Sequence, residues 1–207
     1  ACAGGLSPEH DWASHPVTNR PRPREGVDRK PDCLTGKTFV VYPEVKTTAP
    51  VVLVIHESCG LTDCAKSLAD ELAAAGYIAV APDLLSAPGK DTSSYPDQGA
   101  AIKAISALPD AQVFADLDAA ADYAKKLPAG NGTRAATGFC WGGGKSFAYA
   151  NHNPQLKAAF VFYGPGPESA AEAAKIACPI YGFYAEDDAR IGATVPNAER
   201  LMLELAP

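Results

Sequence analysis

From residue 38 onward, short runs of β-branched and apolar residues alternate with longer Ala-rich stretches whose apolar positions recur every three or four residues. The runs at 38–42, 51–55, 78–81, 135–139, 159–163 and 180–184 have the length and composition of strands. The stretches 63–75, 98–108, 111–127, 143–151, 168–176 and 195–205 read as helices. In the first of these, Leu61, Ala65, Leu68, Ala69 and Leu72 form one apolar stripe, Thr62 or Asp63 supplies a cap, and Gly76 a stop. The strands are nearly continuous in apolar residues, as strands buried on both faces are. Their alternation with helices predicts an α/β domain, a doubly wound and mostly parallel sheet with helices on both faces. In such open sheets ligands bind beyond the carboxyl ends of the strands. The loops after Ile55, Ala81, Phe139, Tyr163 and Tyr184 are therefore where chemistry is expected.

Residues 1–36 depart from this pattern. They hold five of the 18 prolines, an Arg20-Pro21-Arg22-Pro23-Arg24 alternation, and five basic against five acidic residues. The stretch reads as an extended Pro/Arg-rich arm leading into a domain over 37–207. Across all 207 residues, 18 Lys plus Arg stand against 24 Asp plus Glu, so the net charge of −6 belongs to that domain and argues against a nucleic-acid partner. With 47% hydrophobic and 20% charged residues the chain can bury a full core and is not disordered. No run approaches the roughly 18 apolar residues of a membrane span.

The six cysteines, Cys2, Cys33, Cys59, Cys64, Cys140 and Cys178, are too few for a disulfide scaffold, although proximity suggests bridges between Cys59 and Cys64 and between Cys2 and Cys33. The chain starts at Ala1 with no charged and apolar leader, so a signal peptide was removed or never included. With the paired cysteines and the arm, this leads to an expectation of export, periplasmic or secreted, over a cytoplasmic location.

The loop after Phe139 carries the strongest chemical signal. Its glycines do not fit the dinucleotide fingerprint, and although Gly144-Lys145-Ser146 matches the end of a phosphate loop, the required first glycine falls on Phe139. Gly138-Phe139-Cys140-Trp141-Gly142 does fit a nucleophile elbow, with Cys140 at the nucleophile. There a strained turn projects the side chain above the sheet, flanking residues without Cβ let strand and helix pass closely, and the helix N-terminus favours thiolate and oxyanion. The alternative is a buried structural cysteine in a glycine-rich turn, and strand-turn-helix context favours the nucleophile.

With the elbow placed, the chain resembles the dienelactone hydrolase family of the α/β-hydrolase fold. The resemblance rests on Val52-Leu53-Val54-Ile55-His56-Glu57 with Cys59-Gly60-Leu61, on residues 72–84 ending Ala81-Pro82-Asp83-Leu84, on residues 138–144, and on Tyr184-Ala185-Glu186-Asp187-Asp188-Ala189-Arg190-Ile191. It implies hydrolysis of a small ester or lactone, a small-molecule substrate, through a cysteine acyl-enzyme, with no metal and no organic cofactor. Cys140 is then the nucleophile and Asp188 the triad acid, chosen over Glu186 and Asp187 because it directly precedes the Ala-Arg-Ile run. Glu57 matches the glutamate beside the nucleophile, and the backbone N–H groups of Trp141 and Ser58 the oxyanion hole. Tyr163 and Arg190 fall where substrate is bound. The loop at 83–88 lacks an arginine for a carboxylate clamp, which Arg190 or Lys145 would have to replace. A carboxylate beside a thiol disfavours its thiolate form, so Glu57 must move or be neutralised before attack.

No histidine takes the triad position. His56 adjoins Glu57, but neighbours in extended chain face opposite sides, so it reads as structural. His56-Glu57-Ser58-Cys59-Gly60 lacks the second histidine of a zinc-protease helix. His152 lies about 18 Å along its helix from Cys140 at about 1.5 Å per residue. The family's histidine follows a final strand, and here that strand and the helix after it are expected beyond Pro207. The alternative is a noncatalytic or truncated binding protein of the same fold.

Overall fold

A computed structural model describes residues 24–27, 36–87 and 89–205. Seven strands form one sheet in the order β1-β2-β4-β3-β5-β6-β7: β1 (Arg24–Val27), β2 (Thr38–Val41), β3 (Ala49–Ile55), β4 (Ile78–Pro82), β5 (Gly130–Phe139), β6 (Ala158–Phe162) and β7 (Ile180–Phe183). From β4 through β7 every pairing is parallel, as expected of buried apolar strands joined by helices. The β1 and β2 edge is antiparallel, both within itself and against β4. β1 lies inside the stretch read as an arm, and its Arg-Glu-Gly-Val sequence joins the sheet through backbone pairing with β2. Residues 1–23 and 28–35 of that arm, with the expected Cys2–Cys33 bridge, are outside the described residues.

Six helices accompany the described strands: α1 (Asp63–Ala74), α2 (Gln98–Ser106), α3 (Asp110–Lys125), α4 (Trp141–His152), α5 (Ala189–Gly192) and α6 (Val195–Leu205). The pleat sorts β3 between two cores. Val51, Leu53 and Ile55 join Ile105 of α2, Leu117 of α3 and Tyr149 of α4 on one face. Val54 joins Val41, Ala79 and Ala81 against Ala69 and Ala73 of α1 on the other. Each fully buried Leu or Ile contributes about 1.5–3 kcal/mol. Phe147, Val161 and Ala198 form a third cluster that holds α6 to α4 and β6.

One predicted helix is absent. Over 168–176 only a 3-10 turn forms, Ala170–Glu172. The Asn151 side chain takes the place of the helical bond, its Nδ2 donating to Ala171 O (3.3 Å) and its Oδ1 accepting from Lys175 N (2.8 Å). The Glu172 carboxylate also accepts from Glu168 N and Ser169 Oγ, which holds the segment's start in a turn. Helical propensity is thus overridden by contacts from elsewhere in the fold.

Candidate active site

The elbow forms where expected, and α4 starts directly on it at Trp141. Cys140 has φ 54° and ψ −118°, a conformation that costs a non-glycine residue energy and that persists because its surroundings impose it. Its N–H donates to Phe162 O at 2.9 Å, and its carbonyl accepts from Gly144 N, the first helical bond of α4. A Cβ on Gly138 would lie 2.2 Å from Gly142 O, and one on Gly142 would lie 2.3 Å from Ile55 O. The spacing of glycines around the cysteine is therefore a steric requirement of strand and helix crossing at contact distance. The Trp141 N–H is one of the first-turn amides of α4 that have no intrahelical acceptor, and Cys140 is the residue at the positive end of that helix.

Strand register brings the other groups alongside. Ile55 pairs with Gly138, and Phe139 with Phe162, which pairs in turn with Phe183. The segments beginning at His56, Cys140, Tyr163 and Tyr184 thus leave the sheet together. Glu57 meets Tyr163 there, the phenol donating to Glu57 Oε1 at 2.8 Å. Tyr163 also has positive φ, 41°, and its N–H donates to Phe183 O. Burial first, then the Glu57 carboxylate, pushes its hydroxyl well above the usual phenol range, and negative charge on Cys140 or Cys64, when ionised, acts in the same direction. Tyr163 is accordingly a neutral donor to Glu57. The pairing joins positions 106 residues apart, and nothing local in the sequence signals it.

His56 is a bracket between two loops. Leu84 N–H donates to its Nε2 at 3.1 Å, so that nitrogen carries no proton, and Nδ1–H donates to the Glu57 carbonyl at 2.7 Å. Burial holds its pKa below the ordinary value, and its ring stacks on Trp141 at 6.1 Å. A second bracket comes from Asp83, whose carboxylate accepts from Leu85 N, Thr92 N and Thr92 Oγ1. Thr92 Oγ1 also accepts from Leu61 N. Together these bonds fix the Glu57–Leu61 turn that contains Ser58.

Asp188 caps the short helix α5, its Oδ1 accepting from Arg190 N and Ile191 N. Arg190, Glu186 and Asp187 are exposed. Lys145 forms an ion pair with Asp110 and sits 5.5 Å from the Trp141 ring centre, so its charge is engaged outside the thiol site. His152 pairs with Asp118 at 2.7 Å. The expected Cys59–Cys64 bridge does not form: both thiols are free, Cys59 buried with Gln98 Nε2 2.8 Å from its sulfur, and Cys64 exposed on the first turn of α1. Among the described residues no group of three or more metal-ligating side chains converges.

A parallel-rich sheet with a strained cysteine elbow at its carboxyl edge defines an α/β-hydrolase. The sequence model of the dienelactone hydrolase family matches residues 37–204, and the chain belongs to that family. A Salmonella typhi protein named "Putative carboxymethylenebutenolidase" is 36% identical over 152 residues, covering 69% of this chain and 56% of that protein. A Methylorubrum extorquens protein of the same name is 37% identical, covering 67% and 51%. The chain thus spans about half the length of these curated relatives. The crystal structure of a "Putative Dienelactone Hydrolase" from Klebsiella pneumoniae superposes with a TM-score of 0.76 at 31% identity, covering 88% of this chain and 80% of that one.

Proposed function

We propose that the protein hydrolyses a small carboxylic ester or lactone through an acyl-enzyme on Cys140. The observation that carries this is the cysteine's left-handed backbone between two glycines that cannot bear a Cβ, at the start of α4. The Cys140 thiolate attacks the carbonyl carbon, and the Trp141 and Ser58 N–H groups hold the oxyanion. The C–O bond then breaks, the alkoxide leaves with a proton, and water releases the acid from the thioester. Asp188 is the acid assigned to orient a triad histidine, which would take the thiol proton and return it to the leaving alkoxide. Among the described residues no histidine reaches Asp188, since His56 and His152 are engaged elsewhere. Tyr163 and Arg190 contact the substrate, and Tyr163 also fixes Glu57. The export expected from the sequence is a further part of the proposal.

The test is the time course of p-nitrophenyl acetate hydrolysis beside the Cys140→Ala variant. Sustained turnover that the variant lacks supports the hydrolase. Release of one equivalent followed by silence means that Cys140 acylates with no base to complete the cycle, and no difference from the variant overturns the reading. The last two outcomes favour the noncatalytic binding protein of this fold.

A further inference from the structure

On the face of the sheet covered by α2 and α3 lies a cleft of about 330 Å³ that includes no residue of the elbow. Leu84 and Leu85, just beyond β4, form one wall, Tyr95 and Leu108 contribute to the other, and Gln112 and Asp116 of α3 line it with polar groups. Its size is near the lower end of small-molecule sites, enough for one ring or a short alkyl chain.

Asp116 is the chemically telling member. It is about half-buried, and its hydrogen bond comes from Gln112 Nε2 at 3.1 Å, one turn earlier on the same helix. No cation among the described residues pairs with it. Loss of solvent pushes its carboxyl above the usual range, and the Gln112 bond only partly opposes this. A carboxylate drawn out of water against leucine and tyrosine without a counter-charge is an unfavourable arrangement that a cation would relieve. The walls decide which cation. A divalent metal needs several oxygen ligands, preferably charged, and among the described lining residues Asp116 is the one carboxylate, beside the Gln112 amide, the Tyr95 phenol and a Ser86 hydroxyl already bonded to Lys37 N and Asp83 O. A neutral apolar guest would strip more water from Asp116 without replacing it, and an anion would be repelled. An organic ammonium with a small apolar body meets both requirements, placing its charge on Asp116 and its carbon skeleton against Leu84, Leu85 and Leu108.

We propose that this cleft is a binding site for a small apolar ammonium compound, separate from the Cys140 site. The ammonium N–H donates to the Asp116 carboxylate while the ring or alkyl body replaces water on the leucine wall. The cleft is lined by the 84–87 loop but by none of Cys140, Glu57, Tyr163 or Asp188, so its binding can be measured apart from the hydrolase chemistry.

The experiment is isothermal titration calorimetry of the full chain with phenethylammonium chloride, beside 2-phenylethanol, which has the same ring and no charge. Saturable binding at one site is expected, with Kd of about 0.1–1 mM for a ligand of this size. Asp116→Asn keeps the Gln112 contact and should weaken the ammonium by about tenfold or more, as loss of a charged hydrogen-bond partner does. 2-Phenylethanol, which brings no charge to Asp116, should bind the unaltered protein about tenfold or more weakly than the ammonium. Ala104→Leu, which puts a side chain into the cleft, should abolish the ammonium's binding with Asp116 intact. Absence of saturable heat in the unaltered protein overturns the proposal. So does ammonium binding within about twofold of normal in either variant. Turnover is not the readout, so a negative result leaves the acyl-enzyme proposal standing, and failure of that proposal leaves this one standing.

Discussion

A Cβ on Gly142 would lie 2.3 Å from the carbonyl oxygen of Ile55 and 2.4 Å from that of His56, and both are backbone atoms that cannot rotate out of the way. Placing even one methyl there forces α4 off the end of β3 and carries Cys140 with it. We expect Gly142→Ala to cost about 3 kcal/mol in urea unfolding, at the upper end of ordinary overpacking, because no flexible side chain shares the strain. The same variant should slow alkylation of Cys140 by iodoacetamide, since the thiol no longer stands at the helix N-terminus. Gly192 in α5 supplies the contrast: nothing lies within 4 Å of its Cβ position, so Gly192→Ala should leave stability within about 1 kcal/mol or raise it. If the two alanines cost the same, glycine at 142 answers to backbone entropy and not to the crossing of strand and helix.

At the scale of the element, the segment 168–176 shows what the composition of a stretch leaves undetermined. Its alanines and acidic residues suit a helix, yet Asn151 of α4 binds both Ala171 O and Lys175 N, the two groups that a helix would join to each other. Removing that side chain exposes the competition. Asn151→Ala should lower stability by about 1–2 kcal/mol, because two backbone groups lose their partner together. Hydrogen exchange of the Lys175 amide should accelerate in step. Unchanged protection of that amide would mean that Lys175 N has turned to Ala171 O, the helical bond that Asn151 otherwise displaces. The strands were legible because burial on both faces demands nearly unbroken apolar runs such as Val51 to Ile55, and the elbow was legible because its glycines are required within five residues of chain. The Asn151 wedge, the Tyr163–Glu57 bond and the edge strand at Arg24–Val27 were not, since each is fixed by a partner distant in sequence.

Across the whole molecule, the loops that make the site are tied by buried polar brackets, and one of them titrates. His56 is 1% exposed, accepts from Leu84 N on Nε2 and donates to the Glu57 carbonyl from Nδ1, an arrangement that only the neutral ring can make. A proton on Nε2 would point at an N–H donor, with the ring closed off from bulk solvent. Burial accordingly holds the folded pKa below 6.5, while the unfolded chain takes up the proton near 6.5. As pH falls through that value the unfolded state binds a proton that the folded state refuses, so stability declines. Above it both states are neutral, and His56 contributes nothing to the pH dependence. One such group steepens the loss by at most about 1.4 kcal/mol per pH unit. Urea midpoints measured from pH 8 to pH 5 should therefore fall more steeply for the unaltered protein than for His56→Gln, whose side chain does not ionise. Carboxylates titrate in both proteins and cancel in the difference. Parallel curves would mean that the folded protein accommodates the charged ring, and the bracket between the β3 and β4 loops would then have to rest on Asp83 and Thr92, whose bonds run to Leu85 and Leu61.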